Sequence, residues 1–292
     1  MELSYALFLG CTVPAREPSY ELSVRRVFQN LGITLVDLMD STCCAPMPIE
    51  SLDFKTSLAL ATYNLCLAED AGLDLMTICN GCFQVLSRAN MLLKENKKLK
   101  ADVNTVLAET GKEFRGTGTV KDYLQVLYHD YGLETIKKHI RHPLKDLKAA
   151  VFYGCHLLRP SNIVKFDDPD HPHLLDDLVE LTGAKSVPYR HKTRCCGGLL
   201  RGIADDIANK LARDRLFDMS RAQVDCVVTV CPFCFLQLDI GQLSVIRQFK
   251  EPFNLPVLHY SELLGLAMGL KQDELGLNTH RIKTDSILEK IK

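Results

Sequence analysis

Tryptophan is missing altogether, and its absence excludes nothing. Other shortages are more informative. Neither sign of charge dominates: 35 Lys and Arg against 36 Asp and Glu leave a formal net charge of −1 over 292 residues. Non-specific nucleic-acid binding rests on an excess of cations, so it is not expected as the main role, although a local basic pocket is compatible with the totals. No apolar run approaches the length of a membrane span, and the opening "MELSYALFLGC" has neither the basic segment nor the small-residue cleavage site of a secretory leader. A cytoplasmic protein without a membrane or nucleic-acid partner is expected. With 47% hydrophobic and 24% charged residues the chain needs no covalent staples to fold, and its length suits two ordinary domains.

What the chain has in excess is cysteine, twelve in all. In a reducing cytosol these are poor candidates for structural disulfides, which leaves metal binding or redox chemistry. Two pairs are vicinal, in "STCCAPMP" and "TRCCGGLL". Adjacent Cα atoms lie about 3.8 Å apart, below the usual spacing for a bridge.

The cysteines repeat. Cys11, Cys43-Cys44 and the C-x-x-C of Cys79 and Cys82 are followed by Cys155, Cys195-Cys196 and the C-x-x-C of Cys231 and Cys234. From pair to C-x-x-C both halves have 34 intervening residues; from lone cysteine to pair they have 31 and 39, the excess matching the polar insertion "KFDDPDHPH". "LFLGC" answers "VFYGC", "LMTIC" answers "VVTVC", and "VKDYLQVL" from Val120 answers "LHYSELLG" from Leu258, which sets His259 opposite Lys121. This is an internal duplication. It divides the chain into a first domain, 1–145, a second, 146–270, and a polar tail, 271–292, either a docking helix or a frayed end.

Apolar runs at 5–9 and 150–153 end at Gly-Cys and predict buried strands. Amphipathic helices are expected at 21–30 and 174–181, second strands at 34–38 and 185–188, longer helices at 51–70 and 203–220, and third strands at 74–78 and 225–230. Such alternation predicts an α/β fold of two pseudo-two-fold related halves, each a mainly parallel sheet flanked by helices. The cysteines then gather at the C-terminal strand edges, where such sheets hold their functional groups.

Four thiolates make a closed zinc site. Each half offers five, however, and domains of this size fold without zinc. Iron–sulfur clusters accept cysteines on different irons, so a vicinal pair can serve neighbouring irons where one zinc would strain the loop. The pattern therefore favours iron–sulfur over zinc. Spacing alone suggests a four-cysteine cubane and a spare thiol in each half.

C-x31-CC-x34-C-x-x-C followed by C-x39-CC-x34-C-x-x-C resembles the paired cysteine-rich CCG domain, and within it the B subunit of the methanogen-type heterodisulfide reductase. The likeness runs almost end to end. It implies two noncubane [4Fe–4S] clusters, each held by five cysteines: Cys11, Cys43, Cys44, Cys79 and Cys82 for one, Cys155, Cys195, Cys196, Cys231 and Cys234 for the other. It also implies reduction of the coenzyme M–coenzyme B disulfide to two thiols. The first half departs from the pattern, with "CCAP" for "CCGG", which stiffens its loop and sets the equivalence of the clusters aside.

Symmetry alone suggests two one-electron centres flanking one cleft, one for each sulfur of a disulfide. The chain has no ferredoxin-type C-x2-C-x2-C-x3-C-P run and no G-x-G-x-x-G after a strand, so its electrons must come from a partner. The resemblance implies a ferredoxin-like iron–sulfur subunit, a flavin-containing subunit, and a hydrogenase or formate dehydrogenase behind them. Its anionic substrate calls for cations near the cysteine loops. Arg16, His156, Arg159, Lys192, Arg194 and Arg201 are the candidates by position, with His156 a candidate proton donor. Solvated surface charge and a structural histidine are the ordinary alternatives. Cys66 and Cys226 have no counterparts in the repeat and read as small buried hydrophobes; His259 is expected to pack or cap a helix start. Two other functions stay open: a CCG subunit of another redox complex (hydroxy-acid oxidation, thiol:fumarate or sulfur metabolism), and a zinc-stabilised scaffold without chemistry.

Overall fold

In the computed structural model, which describes residues 3–292, the apolar runs that end at Gly-Cys are strands at the middle of two sheets. The first sheet joins β1 (Ser4–Phe8), β2 (Thr34–Asp37), β3 (Leu75–Thr77) and β4 (Val120–Asp122) in the order β2-β1-β3-β4. The second joins β5 (Lys148–Phe152), β6 (Lys185–Ser186), β7 (Cys226–Thr229) and β8 (Val257–His259) in the order β6-β5-β7-β8. Every pairing is parallel. β3, β7 and β8 are buried at every residue, as parallel strands covered by helices on both faces must be, whereas β2 and β6 at the edges are largely exposed.

The identical strand order shows the duplication directly and corrects its alignment by one residue. Thr77 pairs with Asp122, and Thr229 with His259. His259 therefore answers Asp122, not Lys121, and Val120 answers Val257, not Leu258. The helix starts agree. Gln125 Oε1 accepts the Asp122 N–H at 3.1 Å, and Glu262 Oε2 accepts the His259 N–H at 2.8 Å, three residues on in both halves.

The helical stretch expected at 51–70 is two helices, Met47–Leu52 and Phe54–Asp70. Asp53 leaves helical backbone (φ −151°, ψ 107°) and caps the second by accepting the Thr56 N–H. Its counterpart is the helix Asp205–Arg221. One apolar core runs through both halves, including Tyr20, Phe28, Leu175 and Tyr260. There the helices Pro18–Asn30 and Tyr260–Ala267 pack together, with Ser23 Oγ 2.7 Å from Ser261 Oγ and the Tyr20 hydroxyl donating to Val230 O at 3.1 Å. Separate cores lie beneath the outer face of each sheet. Residues 271–292 pack back onto the protein: Leu275, Leu277, Ile282 and Ile287 are buried, and Asp239 accepts the Arg281 and Ile282 N–H groups at 2.9 Å each.

Candidate metal centre

Each strand hands its cysteine to a helix start or a tight turn just beyond the sheet. Cys11 precedes the helix Thr12–Arg16, Cys79 the helix Asn80–Glu95, and Cys231 the helix Pro232–Leu238. The vicinal pairs enter from loops after β2 and β6. Beyond the C-terminal edges of the two sheets, all ten cysteines line one cleft of about 450 Å³. Cys66 and Cys226 lie elsewhere, and burial pushes the Cys66 thiol up to about 12 and the Cys226 thiol up as well.

The sulfurs have little room to move. A Cβ on Gly10 would lie 2.9 Å from Cys82 Sγ, and one on Gly154 would lie 3.1 Å from Cys234 Sγ; both glycines have positive φ (+70° and +74°). Backbone amides point at sulfur: Ala45 N–H to Cys43 Sγ at 3.4 Å, Gly197 N–H to Cys195 Sγ at 3.3 Å, and Gly198 N–H to Cys196 Sγ at 3.3 Å. Hydrogen bonds from neighbouring thiols hold Cys44 down to about 4 and Cys79 down to about 5; Cys43, the donor to Cys44, is pushed up in exchange. The neighbour that lowers Cys79 most is Cys231 of the other half, which sets the two cysteine sets close together.

This donor chemistry fits iron–sulfur clusters. The thiols come in fives, amides are aimed at the sulfurs, and glycines clear the space around them.

Of the six candidates for substrate, two line the cleft, His156 and Arg159. Arg159 also donates to Pro169 O and to Asp170 Oδ1. His156 Nδ1 lies 3.5 Å from where a Gly81 Cβ would be, so this second-half imidazole sits against the first C-x-x-C. The other four are not on the cleft wall. Lys192 pairs with Asp176 at 2.5 Å, and Arg201 is held under the helix Asp205–Arg221 by Gln237 at 2.6 Å and Asn209 at 3.2 Å. Arg194 is exposed beside Cys195, and Arg16 is exposed at the end of its short helix.

Loop position overlooked Arg88. It reaches the cleft from the helix that Cys79 opens and pairs with Glu50 across it. The helical spacing 81, 84, 85, 88, all on the cleft wall, is the sequence signal that locates it. Asn80 also lines the cleft; its Nδ2 donates to Tyr153 O at 2.9 Å while its buried Oδ1 has no partner.

Behind the cleft, between the halves, lies a buried polar group. His259 stacks on Tyr20 at 3.5 Å and on Phe235 at 4.4 Å, with its Nε2 2.9 Å from Glu17 Oε2. Burial drives the imidazole well below its usual range and the Glu17 carboxyl up to about 10. The contact is therefore a neutral hydrogen bond, with the carboxyl O–H donating to the ring nitrogen. Asp122, fully buried, is pushed up to about 8 by the same cause.

Residues 5–87 and 149–239 each match the family model described as the cysteine-rich CCG domain. The chain is 44% identical over 290 residues to the B subunit of the ferredoxin:CoB-CoM heterodisulfide reductase of Methanosarcina mazei, covering 98% of this chain and 96% of the relative. It is 34% identical over 278 residues to the 8-methylmenaquinol:fumarate reductase membrane anchor subunit of Wolinella succinogenes, covering 95% and 96%. No helix among the described residues is long and apolar enough to cross a membrane. A solved hypothetical protein from Helicobacter pylori superposes with a TM-score of 0.76 at 17% identity over 96% of this chain; the chain spans about half of that protein's length (52%), and the likeness shows the shared fold.

Proposed function

Because the chain belongs to the paired CCG-domain family of heterodisulfide reductase B subunits, iron–sulfur redox subunits of reductase complexes, we propose that it is the catalytic subunit that reduces the coenzyme M–coenzyme B disulfide. The observation that carries the reading is the single cleft walled by both complete cysteine sets. The two sets named above would hold two noncubane [4Fe–4S] clusters. When bound, these supply one-electron chemistry on both sides of the cleft. Cleavage of one disulfide consumes two electrons and two protons and releases two thiols.

The protein's own groups divide the remaining tasks. Leu9, Pro46, Met47, Val85, Leu199 and Phe233 make much of the wall apolar and exclude water from the scissile bond. Arg88 and Arg159 bind the anionic ends of the substrate. His156 holds a proton for one product sulfur at the cleft wall. Arg16, Lys192, Arg194 and Arg201 act, on this reading, outside substrate contact. The electrons come from a ferredoxin-like iron–sulfur partner, with a flavin-containing partner upstream of it and a hydrogenase or formate dehydrogenase feeding both.

Iron and acid-labile sulfide per chain, measured on anaerobically purified protein, test the reading first. About eight irons and oxidation of the reduced protein by the coenzyme M–coenzyme B disulfide are expected. Zinc in place of iron would leave only a scaffold. The Wolinella relative supports a second reading, a cluster-bearing subunit of another redox complex. Full iron content with no response to the disulfide would favour it.

A further inference from the structure

The duplicated halves serve as each other's control, so a difference between their cysteine loops stands out. In both, the residue after the vicinal pair has left-handed backbone, φ +55° at Ala45 and +84° at Gly197. In both, its N–H donates to the first sulfur of the pair, at 3.4 Å to Cys43 and 3.3 Å to Cys195. One residue later the halves diverge. The Gly198 N–H donates to Cys196 Sγ at 3.3 Å. Pro46 stands in the matching place, two residues after Cys44, and a proline has no N–H to give. A second difference lies on the long helix behind each pair. Nineteen residues after Cys196 stands Arg215, 6% exposed, whose Nε donates to Cys195 O at 3.2 Å; nineteen after Cys44 stands Tyr63.

We propose that these substitutions make the two cysteine sets unequal electron acceptors. Gly198 and Arg215 direct the first electron to the set of Cys155, Cys195, Cys196, Cys231 and Cys234, and Pro46 and Tyr63 leave the other set to be reduced second. The inference rests on the two-cluster reading above. An added electron makes a thiolate-ligated site more negative, so an extra N–H at a sulfur and a buried cation both stabilise the reduced form and raise its potential. On the side of the first set, Arg88 is paired with Glu50. A partner that delivers electrons singly would find a defined resting place for the first while the cleft awaits the second.

The test is a redox titration of the iron-loaded full chain followed by electron paramagnetic resonance, with iron counted on the same sample. Two midpoints are expected. Pro46→Ala and Pro46→Gly both introduce an N–H and should raise the lower midpoint alike, by about a three- to tenfold change in the one-electron equilibrium, tenfold being 59 mV. Arg215→Gln should lower the upper midpoint alone, and Arg215→Lys, which keeps the charge, should restore most of it. A shift with Gly but not Ala would assign the effect to loop flexibility and overturn the proposal. So would movement of the upper midpoint by either Pro46 variant, or of neither midpoint. About eight irons with coincident midpoints sinks this inference alone, whereas about four irons sinks the two-cluster reading beneath it.

Discussion

Replacing Glu17 with Gln separates two descriptions of the contact with His259 that geometry alone leaves identical. As an ion pair, 2% exposed on one side and fully buried on the other, it would lose a partner and leave a buried imidazolium, at a cost of about 3–5 kcal/mol. As the neutral hydrogen bond that burial dictates, it survives, because the Gln amide N–H donates to Nε2 where the carboxyl O–H did; the cost is then about 1 kcal/mol or less. The pH dependence is sharper. The Glu17 carboxyl titrates about 10 in the folded protein against an ordinary value of 4.5. Between those values the native state binds more protons than the unfolded one, so the stability of the parent protein falls as pH rises, at up to about 1.4 kcal/mol per unit. Gln has nothing to titrate. From pH 6 to pH 8 the variant should therefore gain about 2.7 kcal/mol on the parent, roughly 5 °C in melting temperature for a chain of this size. Asp122 titrates in both proteins and cancels in the difference. Thermal unfolding of the pair at matched iron content over that range decides it. A difference that does not change with pH, or a loss near 4 kcal/mol throughout, would refute the neutral pair.

Other substitutions probe the cleft itself. His156→Gln should lower turnover about 100-fold at unchanged iron content, read as kcat against iron per chain, because it removes the imidazole from the cleft wall. Arg88→Ala should act mainly on KM, raising it about 10- to 100-fold for a charged hydrogen bond to an anion, with kcat less affected. Gly10→Ala places a Cβ 2.9 Å from Cys82 Sγ and should roughly halve the iron content, whereas Gly72→Ala, with nearly the same φ (+67°) but open space around it, should cost about 1–2 kcal/mol of stability and no iron. Iron analysis beside thermal melting distinguishes the two glycines.

The cysteine spacing was legible because it is chemistry written in one dimension: each lone cysteine, pair and C-x-x-C follows a strand, and parallel strands end together. The apolar runs before Cys11, Cys155, Cys79 and Cys231 were legible for a similar reason, since a strand buried on both faces has no other way to read. The fourth strands were not. β4 and β8 have three residues each, too few for any period, and their polar ends, Asp122 and His259, look like loop. The register that pairs Thr77 with Asp122 and Thr229 with His259 also sets Val120 against Val257 and Tyr123 against Tyr260, two identities that the one-residue slip forgoes.

The cations mark a deeper limit. Nearness in sequence to a cysteine loop selected Arg201, which the turn Gly198–Leu200 sends away from the cleft to Gln237, and passed over Arg88, which six residues of helix bring back to it from Cys82. Distance along a loop says little about direction, whereas distance along a helix fixes it. The duplication shows why such positions matter. On the proposed function the halves share what would hold metal, namely ten cysteines and the glycines before Cys11 and Cys155. They differ at positions where a disulfide with two unlike ends would call for a difference: His156 against Thr12 on the cleft wall, Gly198 against Pro46 at the sulfurs, Arg215 against Tyr63 behind them. A symmetric scaffold alone would supply two equivalent places for iron. Only the departures from symmetry can give the first electron and the first proton a side, so those positions, not the invariant cysteines, are where substitutions should change the order of events without emptying the site.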